Sequence, residues 1–298
     1  MTMDKPKVSV VCMVYKHEVY LRKCFDGFIM QKTTFPIEIL VNDDCSPDGS
    51  ADVMREYEAK YPELFHCIYQ EENQYSKGKM AWWEILFPMA KGDYIAICEG
   101  DDYWIDPYKL QKQVDFMEQH PDYVACFHKA RVQYKDHVTL FNALNETHNP
   151  STKALIKRRW FIATPTLLFR NVLHEFPEWR GEVLNGDYLL ELLLAREGKF
   201  YYMDDVMAVY RQDGQGMSSV LERDKIDMVD RLIDLLKKMK PYYSDEYASA
   251  FDKSIGNYQS MRDDYEKEAY FEEHPLARFF RPKTYKRMIK KQLRNTIK

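Results

Sequence analysis

The chain has 298 residues, 45% of them hydrophobic and 30% charged, with a formal net charge of −4. That balance can bury a sizeable core, which excludes wholesale disorder and leaves room for one large α/β domain plus an extension, or for two modest domains. The charge excludes a generally basic nucleic-acid binder, and no apolar stretch reaches the roughly 20 residues that span a bilayer.

Residues 1–7 lack the apolar run of a signal peptide and lead straight into a strand, so a cytoplasmic protein is expected. Cys12, Cys24, Cys45, Cys67, Cys98 and Cys126 are scattered, with no CxxC pair and no zinc spacing, and read as reduced, mostly buried thiols. Short β-rich runs predict strands over 8–14, 37–41, 65–69 and 94–98. Helices are expected between them, over 17–31, from Ser50 onward and over 79–89, with Ser50 and Asp52 placed to cap the second. A β-α-β-α order implies a parallel sheet with right-handed crossovers and helices on both faces. Asp106-Pro107 opens a further helix to about residue 120, with proline at its first position. Over 122–216 the pattern loosens, to strands at 123–127, 166–169, 200–203 and 206–210 and an apolar helix at 187–196. Beyond Leu221 the chain turns to charge-rich helix, over 222–240 and 244–271, and after His274 it carries Arg and Lys with no acid.

Two acidic clusters follow strands. One is Asn42-Asp43-Asp44-Cys45-Ser46-Pro47-Asp48-Gly49-Ser50, and the other is Glu99-Gly100-Asp101-Asp102-Tyr103-Trp104. Ligands of open α/β sheets bind outside the carboxyl ends of the strands. Carboxylates grouped there repel one another unless a cation or a hydrogen donor joins them. A divalent metal carrying a diphosphate would satisfy both clusters.

The strand at Val8 to Val14, the Tyr15-Lys16-His17-Glu18 segment and the Asp-Asp-x-Ser-x-Asp-Gly-Ser stretch resemble the opening of an inverting glycosyltransferase of family 2, bacterial surface-polysaccharide type. Glu99-Gly100-Asp101-Asp102 is similar to that family's metal-binding DxD element, Asn185-Gly186-Asp187 to the place of its catalytic base, and Val206 to Arg211 to its closing tyrosine-arginine stretch. The resemblance covers Lys7 to Ser219. It implies a GT-A fold, Rossmann-like and α/β with a mostly parallel sheet, as a catalytic domain over 1–220. Residues 221–298 then form a helical extension with a basic amphipathic tail.

The resemblance also implies roles. Val14 and Tyr15 border the nucleotide, and Asp43 and Asp44 accept the imide hydrogen of uracil, although Asp, Ser, Pro and Gly equally suit a solvated turn. Asp101 ligates Mn²⁺ or Mg²⁺, Glu99 holds a metal-bound water or the ribose, and Gly100 lets the backbone approach the nucleotide. Asp102 or Asp106 caps the next helix. Asp187 is the general base, able also to cap its helix, with Glu191 one turn on as the back-up. Trp82-Trp83-Glu84 stand where the family often carries Ala-Arg-Asn. Lys77 or Lys79 therefore supplies charge for the diphosphate, unless both are solvated loop lysines. Asp213 stands where relatives place a histidine, and Gly214 and Gly216 suggest a loop that closes over the donor. Asp102, Trp104, Thr164 and Arg211 are candidate sugar, acceptor or loop contacts, with Trp160 and Trp179 near them in sequence, while His17, His128, His137 and His148 read as structural or exposed.

The expected partners are a nucleotide-sugar donor, UDP-linked above all, and a glycan or lipid-linked glycan acceptor. Tyr285, Met288, Ile289, Leu293 and Ile297 recur at helical spacing among basic residues, which suits an anionic membrane surface at the inner face of the cell membrane, or docking on the chain's own domain. Two rivals stand beside this reading. One is an inactive relative that binds nucleotide or docks in a glycan assembly. The other is a nucleotidyltransferase, which would want a Gly-rich basic loop where Met13-Val14-Tyr15-Lys16-His17 stands.

Overall fold

A computed structural model describes residues 5–141, 148–157, 162–183, 186–212 and 225–273. The chain divides into two compact units, Met1–Val220 and Leu221–Lys298. In the first unit β1 (Val8–Val14), β2 (Ile37–Asp43), β3 (Phe65–Tyr69) and β4 (Tyr94–Ile97) alternate with α1 (Glu18–Ile29), α2 (Ser50–Lys60) and the short turn α3 (Phe87–Met89). There follow β5 (Tyr103–Trp104), α4 (Lys109–Gln119), β6 (Tyr123–Tyr134), β7 (Val138–Phe141), α5 (Thr152–Lys157), β8 (Leu168–Arg170), α6 (Gly186–Glu197) and β9 (Lys199–Gln212).

These strands make one sheet in the order β3-β2-β1-β4-β8-β6-β9-β5, with β7 on β6. The α/β fold expected from the sequence is present. Strands β1 to β4 are mutually parallel, and β8 runs antiparallel to both β4 and β6. Burial on both faces explains why β1 and β2 are rich in Val, Ile and Leu. Two of their buried polar residues pair with each other: the Ser9 hydroxyl donates to Glu38 Oε1 at 2.6 Å, and Glu38 also accepts from Lys91 N–H at 2.7 Å. The register Val14↔Asp43 ends β1 and β2 level. β4 leaves the sheet at the same edge, where Gly100 N–H donates to Met13 O at 2.9 Å. Three carboxyl-terminal strand ends therefore converge.

Several expected elements take a different form. β2 continues through Asn42 to Asp43, so Asp43 is a strand residue rather than part of a turn. The helix expected over 79–89 is instead a π-helical turn at Trp82–Leu86 followed by α3. Adjacent side chains on an α-helix diverge, whereas here Trp82 and Trp83 are both buried, at 5% and 2% exposure, and the wider turn accommodates them. The strands expected at 200–203 and 206–210 are one, because Asp204 pairs with Lys129 and Asp205 with Lys112 where the β6–β9 register shifts. Helix α2 has no side-chain cap. Ser50 accepts from His17 N–H instead, and its hydroxyl donates to Asp48.

Among the described residues, one lysine is buried in the core. Lys109 Nζ lies 4.1 Å from the Trp104 ring centre and donates to Gln113 Oε1 at 2.7 Å, and burial lowers its pKa to about 7. The unfolded chain keeps that proton up to its ordinary 10.5. Between about 7 and 10.5 the unfolded state therefore binds more protons, and stability rises with pH. Below about 7 the full cost of a buried ammonium is present. Lys109→Met is expected to remove this slope, so that wild type gains about 2 kcal/mol on the variant between pH 7 and 9 in urea unfolding. Equal pH dependence of the two proteins would contradict a neutralised lysine.

In the second unit α7 (Lys225–Met239) buries Met228, Val229, Leu232, Ile233, Leu235, Leu236 and Met239. Arg262 on α8 (Ala248–Glu273) reaches Asp230 of α7 at 2.6 Å. No described helix is long and apolar enough to cross a membrane. The basic tail, residues 274–298, lies outside the described residues.

Candidate active site

The loops after β1 and β2 are stitched to each other. Lys16 N–H donates to Ser46 Oγ at 3.0 Å, Asp44 N–H to Val14 O at 2.9 Å, and Gly49 N–H to Glu18 Oε2 at 2.9 Å. Lys16 and Cys45 both adopt positive φ, 61° and 59°, a conformation that L side chains rarely take. Such local strain gathers where loops are held for binding. Val14 is buried at the end of β1 and Tyr15 stands 40% exposed beside it.

Asp43 and Asp44 part company at the end of β2. Asp43 is 3% exposed and accepts from Ser46 N–H, and burial raises its carboxyl pKa against that hydrogen bond. Asp44 uses both oxygens to hold the next loop, accepting from Gln74 N–H at 2.7 Å and Tyr75 N–H at 3.1 Å. That loop carries Lys77, ion-paired with Glu72, and exposed Lys79.

The second cluster is compact. Carboxylate oxygens of Glu99, Asp101 and Asp102 lie within 4.8 Å of one another. Burial, with the charges of Asp101 and Asp187 nearby, pushes Glu99 up to about 8. Burial and then Asp101 push Asp102 well above the ordinary carboxylate range. Asp102 Oδ1 accepts from Arg211 N–H at 2.8 Å, whereas Oδ2 is buried without a hydrogen-bond partner among the described residues. Asp102 thus holds β9 rather than capping a helix. Asp106 accepts from Tyr108 N–H at 2.7 Å, one residue ahead of α4. An all-oxygen set of close carboxylates with one orphaned atom fits Mn²⁺ or Mg²⁺, which favour hard oxygen ligands.

Arg211 braces this turn. Its guanidinium donates to Asp101 O and stacks 4.8 Å from the Tyr20 ring and 4.6 Å from that of Tyr103. Trp104 is 2% exposed, so it offers no face to a sugar. Its indole instead donates to Pro165 O at 2.9 Å and holds the Thr164–Thr166 turn. The sequence reading also missed His17. Its Nε2 lies 3.9 Å from Asp101 Oδ2, and its Nδ1 is buried without a partner. The signal available was its position just past β1, at the edge that carries both clusters.

Asp187 stands at the start of α6, where Oδ1 accepts from Tyr188 N–H at 2.8 Å. Tyr188 is buried and turns its hydroxyl to Ile156 O at 2.9 Å, so its ring packs in the core. The charge of Asp187 acts on both Glu99 of the acidic cluster and Glu191, one turn on along α6. Glu191 is 2% exposed, and burial raises its pKa well above its ordinary value. Trp82, Ile97, Ile162, Thr164, Leu167, Asp187, Leu190 and Glu191 line one small cavity. Trp179 lies in a 3₁₀ turn at Glu178–Glu182. Asp213, Gly214, Gly216 and Trp160 lie outside the described residues.

The profile of Glycosyl transferase family 2 matches residues 9–175. Uncharacterized protein Rv1520 of Mycobacterium tuberculosis is 36% identical over 212 residues, 70% of this chain and 60% of that protein. The chain thus spans less than two thirds of that relative's length. The putative teichuronic acid biosynthesis glycosyltransferase TuaG of Bacillus subtilis is 35% identical over 117 residues, 39% of this chain and 44% of TuaG. Two solved structures share the fold. S. aureus TarS 1–349 in complex with UDP-GlcNAc has a TM-score of 0.57 at 17% identity, covering 88% of this chain and 92% of that one. The mannosyltransferase PcManGT of Pyrobaculum calidifontis, in complex with GDP-Man and Mn²⁺, has a TM-score of 0.60 at 15% identity, covering 96% and 84%. With the strand order and acidic loops described above, these matches place the chain in glycosyl transferase family 2, on a GT-A-like α/β fold.

Proposed function

We propose that this protein is a metal-dependent, inverting glycosyltransferase that moves a sugar from a nucleotide diphosphate, UDP above all, to a saccharide hydroxyl in surface-polysaccharide synthesis. The observation that carries the reading is the joining of Glu99, Asp101 and Asp102 at one strand edge with Asp187 close enough to perturb Glu99. Asp43, with its carboxyl at the end of β2, is the acceptor for the uracil imide, because Asp44 is engaged by Gln74 and Tyr75. Asp101 and Glu99 are the ligands of a divalent ion, which when bound offsets the charge that builds on the departing diphosphate. Arg211 and Asp102 keep the ligand turn in place. Asp187 accepts the proton of the acceptor hydroxyl as its oxygen attacks the anomeric carbon from the face opposite the diphosphate. One displacement of this kind inverts the anomeric centre.

The donor is read from the Asp43 position and from TarS, which was solved in complex with UDP-GlcNAc, with the GDP-Man of PcManGT as the alternative nucleotide. The pathway is read from TuaG. Metal-dependent release of nucleoside diphosphate from UDP-glucose, UDP-galactose, UDP-GlcNAc or GDP-mannose is expected when the purified chain is incubated with Mn²⁺. Release from none of them would reject the reading.

The acceptor is proposed to be lipid-linked, with the basic tail on an anionic membrane at the cytoplasmic face, each basic residue contributing about 1 kcal/mol. Truncation after Phe280 should then abolish binding to anionic liposomes. Unchanged liposome binding would remove the membrane from the account.

A further inference from the structure

The cavity beside Asp187 holds two polar atoms that the mechanism above does not use. Glu191 Oε2 and Trp82 Nε1 are both buried without a hydrogen-bond partner among the described residues, on side chains 2% and 5% exposed. They come from separate elements, Glu191 from α6 and Trp82 from the π-helical turn, and both line the one cavity. An orphaned polar atom in so dry a place costs about 1–3 kcal/mol, and two around one void mark a place for a group that satisfies both. The indole N–H can only donate, while a carboxyl oxygen can accept. The missing group must therefore accept from the indole, and it must donate to the carboxyl oxygen whenever that oxygen carries no proton.

Size and charge narrow the choice. The cavity has room for about one water-sized group. Its remaining wall is apolar, from Ile97, Ile162, Leu167 and Leu190. A carboxylate would be repelled by Asp187, an ammonium could not accept from Trp82, and an acetamido group is too large. A hydroxyl fits on all counts. Ile97 ends β4 two residues before Glu99, which puts the cavity on the side of the site where the donor diphosphate is proposed to lie.

We propose that this cavity receives one hydroxyl of the sugar being transferred, which accepts from Trp82 Nε1–H and donates to Glu191 Oε2, and so makes these two residues determinants of donor specificity. The assignment rests on the donor reading of the preceding section. It gives Glu191 a binding role in place of that of a substitute base. It also accounts for the π-helical turn, which brings an indole to the wall of the site.

The test uses Trp82→Phe, Glu191→Met, Glu191→Gln and the Trp82→Phe/Glu191→Met double variant. Each is assayed for nucleotide release from UDP-glucose, UDP-galactose, UDP-GlcNAc and GDP-mannose without added acceptor, and for UDP affinity. A site built around a hydroxyl rejects a poor match strongly. Trp82→Phe and Glu191→Met should each lower kcat/KM for the preferred donor by roughly 100-fold and flatten the preference among sugars. The double variant should be little worse than either single one, because both residues serve the same hydroxyl. UDP affinity should stay within about 2-fold, and Glu191→Gln, which keeps an accepting oxygen of the same reach, should restore much of the loss.

Three results would overturn the proposal while leaving the enzyme reading intact. Altered thermal stability with an unchanged donor preference means that the cavity holds only a structural water. Unchanged release without acceptor, combined with lost transfer to an added glycan, moves the hydroxyl to the acceptor. UDP binding with no response to any donor sugar in wild type or variants shows that no sugar hydroxyl is read there. Loss of UDP binding in wild type itself would instead sink the functional reading.

Discussion

Asp187→Asn is expected to lower the rate of sugar transfer by about 10²–10⁴-fold while nucleotide affinity stays unchanged, since general-base catalysis contributes on that scale. Asn keeps the volume and can still accept from Tyr188 N–H, so α6 should start in the same way. What it cannot do is take a proton. Asp187 is partly exposed at the cavity and is not among the carboxylates proposed to hold the nucleotide or the metal, so UDP affinity should not change. The decisive comparison is kcat against KM. A fall confined to kcat supports a base, a rise confined to KM means that Asp187 only positions substrate, and full activity removes it from the chemistry.

Asp101→Asn is expected to cost more, because it strikes the donor before the reaction begins. Among the described residues, Asp101 carries no hydrogen bond like the one that ties Asp102 to Arg211, and its charge acts on both of its neighbours. Removing its charge should weaken Mn²⁺ binding by at least about 10-fold, as measured by electron paramagnetic resonance of the free ion, and reduce transfer to background. The same change should relieve repulsion inside the ion-free cluster, where Asp101 raises both Glu99 and Asp102. The variant should therefore be at least as stable as wild type without metal. A variant that binds Mn²⁺ normally would move the metal site elsewhere.

The parallel half of the sheet was legible because β1 to β4 are short β-branched runs separated by helical lengths, and doubly buried parallel strands have that composition. The acids at their ends were legible for the same reason, since strand ends are also sequence landmarks. What stayed hidden depends on pairings between distant segments. Arg211 braces Asp101 and Asp102 only because β9 runs antiparallel to β5, a partnership that no local pattern announces. His17 faces Asp101 only because the β1 and β4 ends lie side by side. Trp104 looked like a sugar platform next to the acidic motif, yet β5 turns it into the core against Phe28. Glu191 was legible as an acid one turn after Asp187, but not its burial, because α6 is apolar on nearly every side and offers no polar face by contrast. The burial of Trp82 and Trp83 together required a π-helical turn, which departs from the regular helix that the sequence suggested.

The account turns on one claim, that the carboxylates after β2 and β4 act together on a single nucleotide. Calorimetric titration of UDP into the protein, with Mn²⁺ and again with EDTA, and with GDP as control, tests it directly. The account predicts binding that requires Mn²⁺ and favours UDP over GDP. Binding of neither nucleotide, or UDP binding indifferent to EDTA, would contradict it.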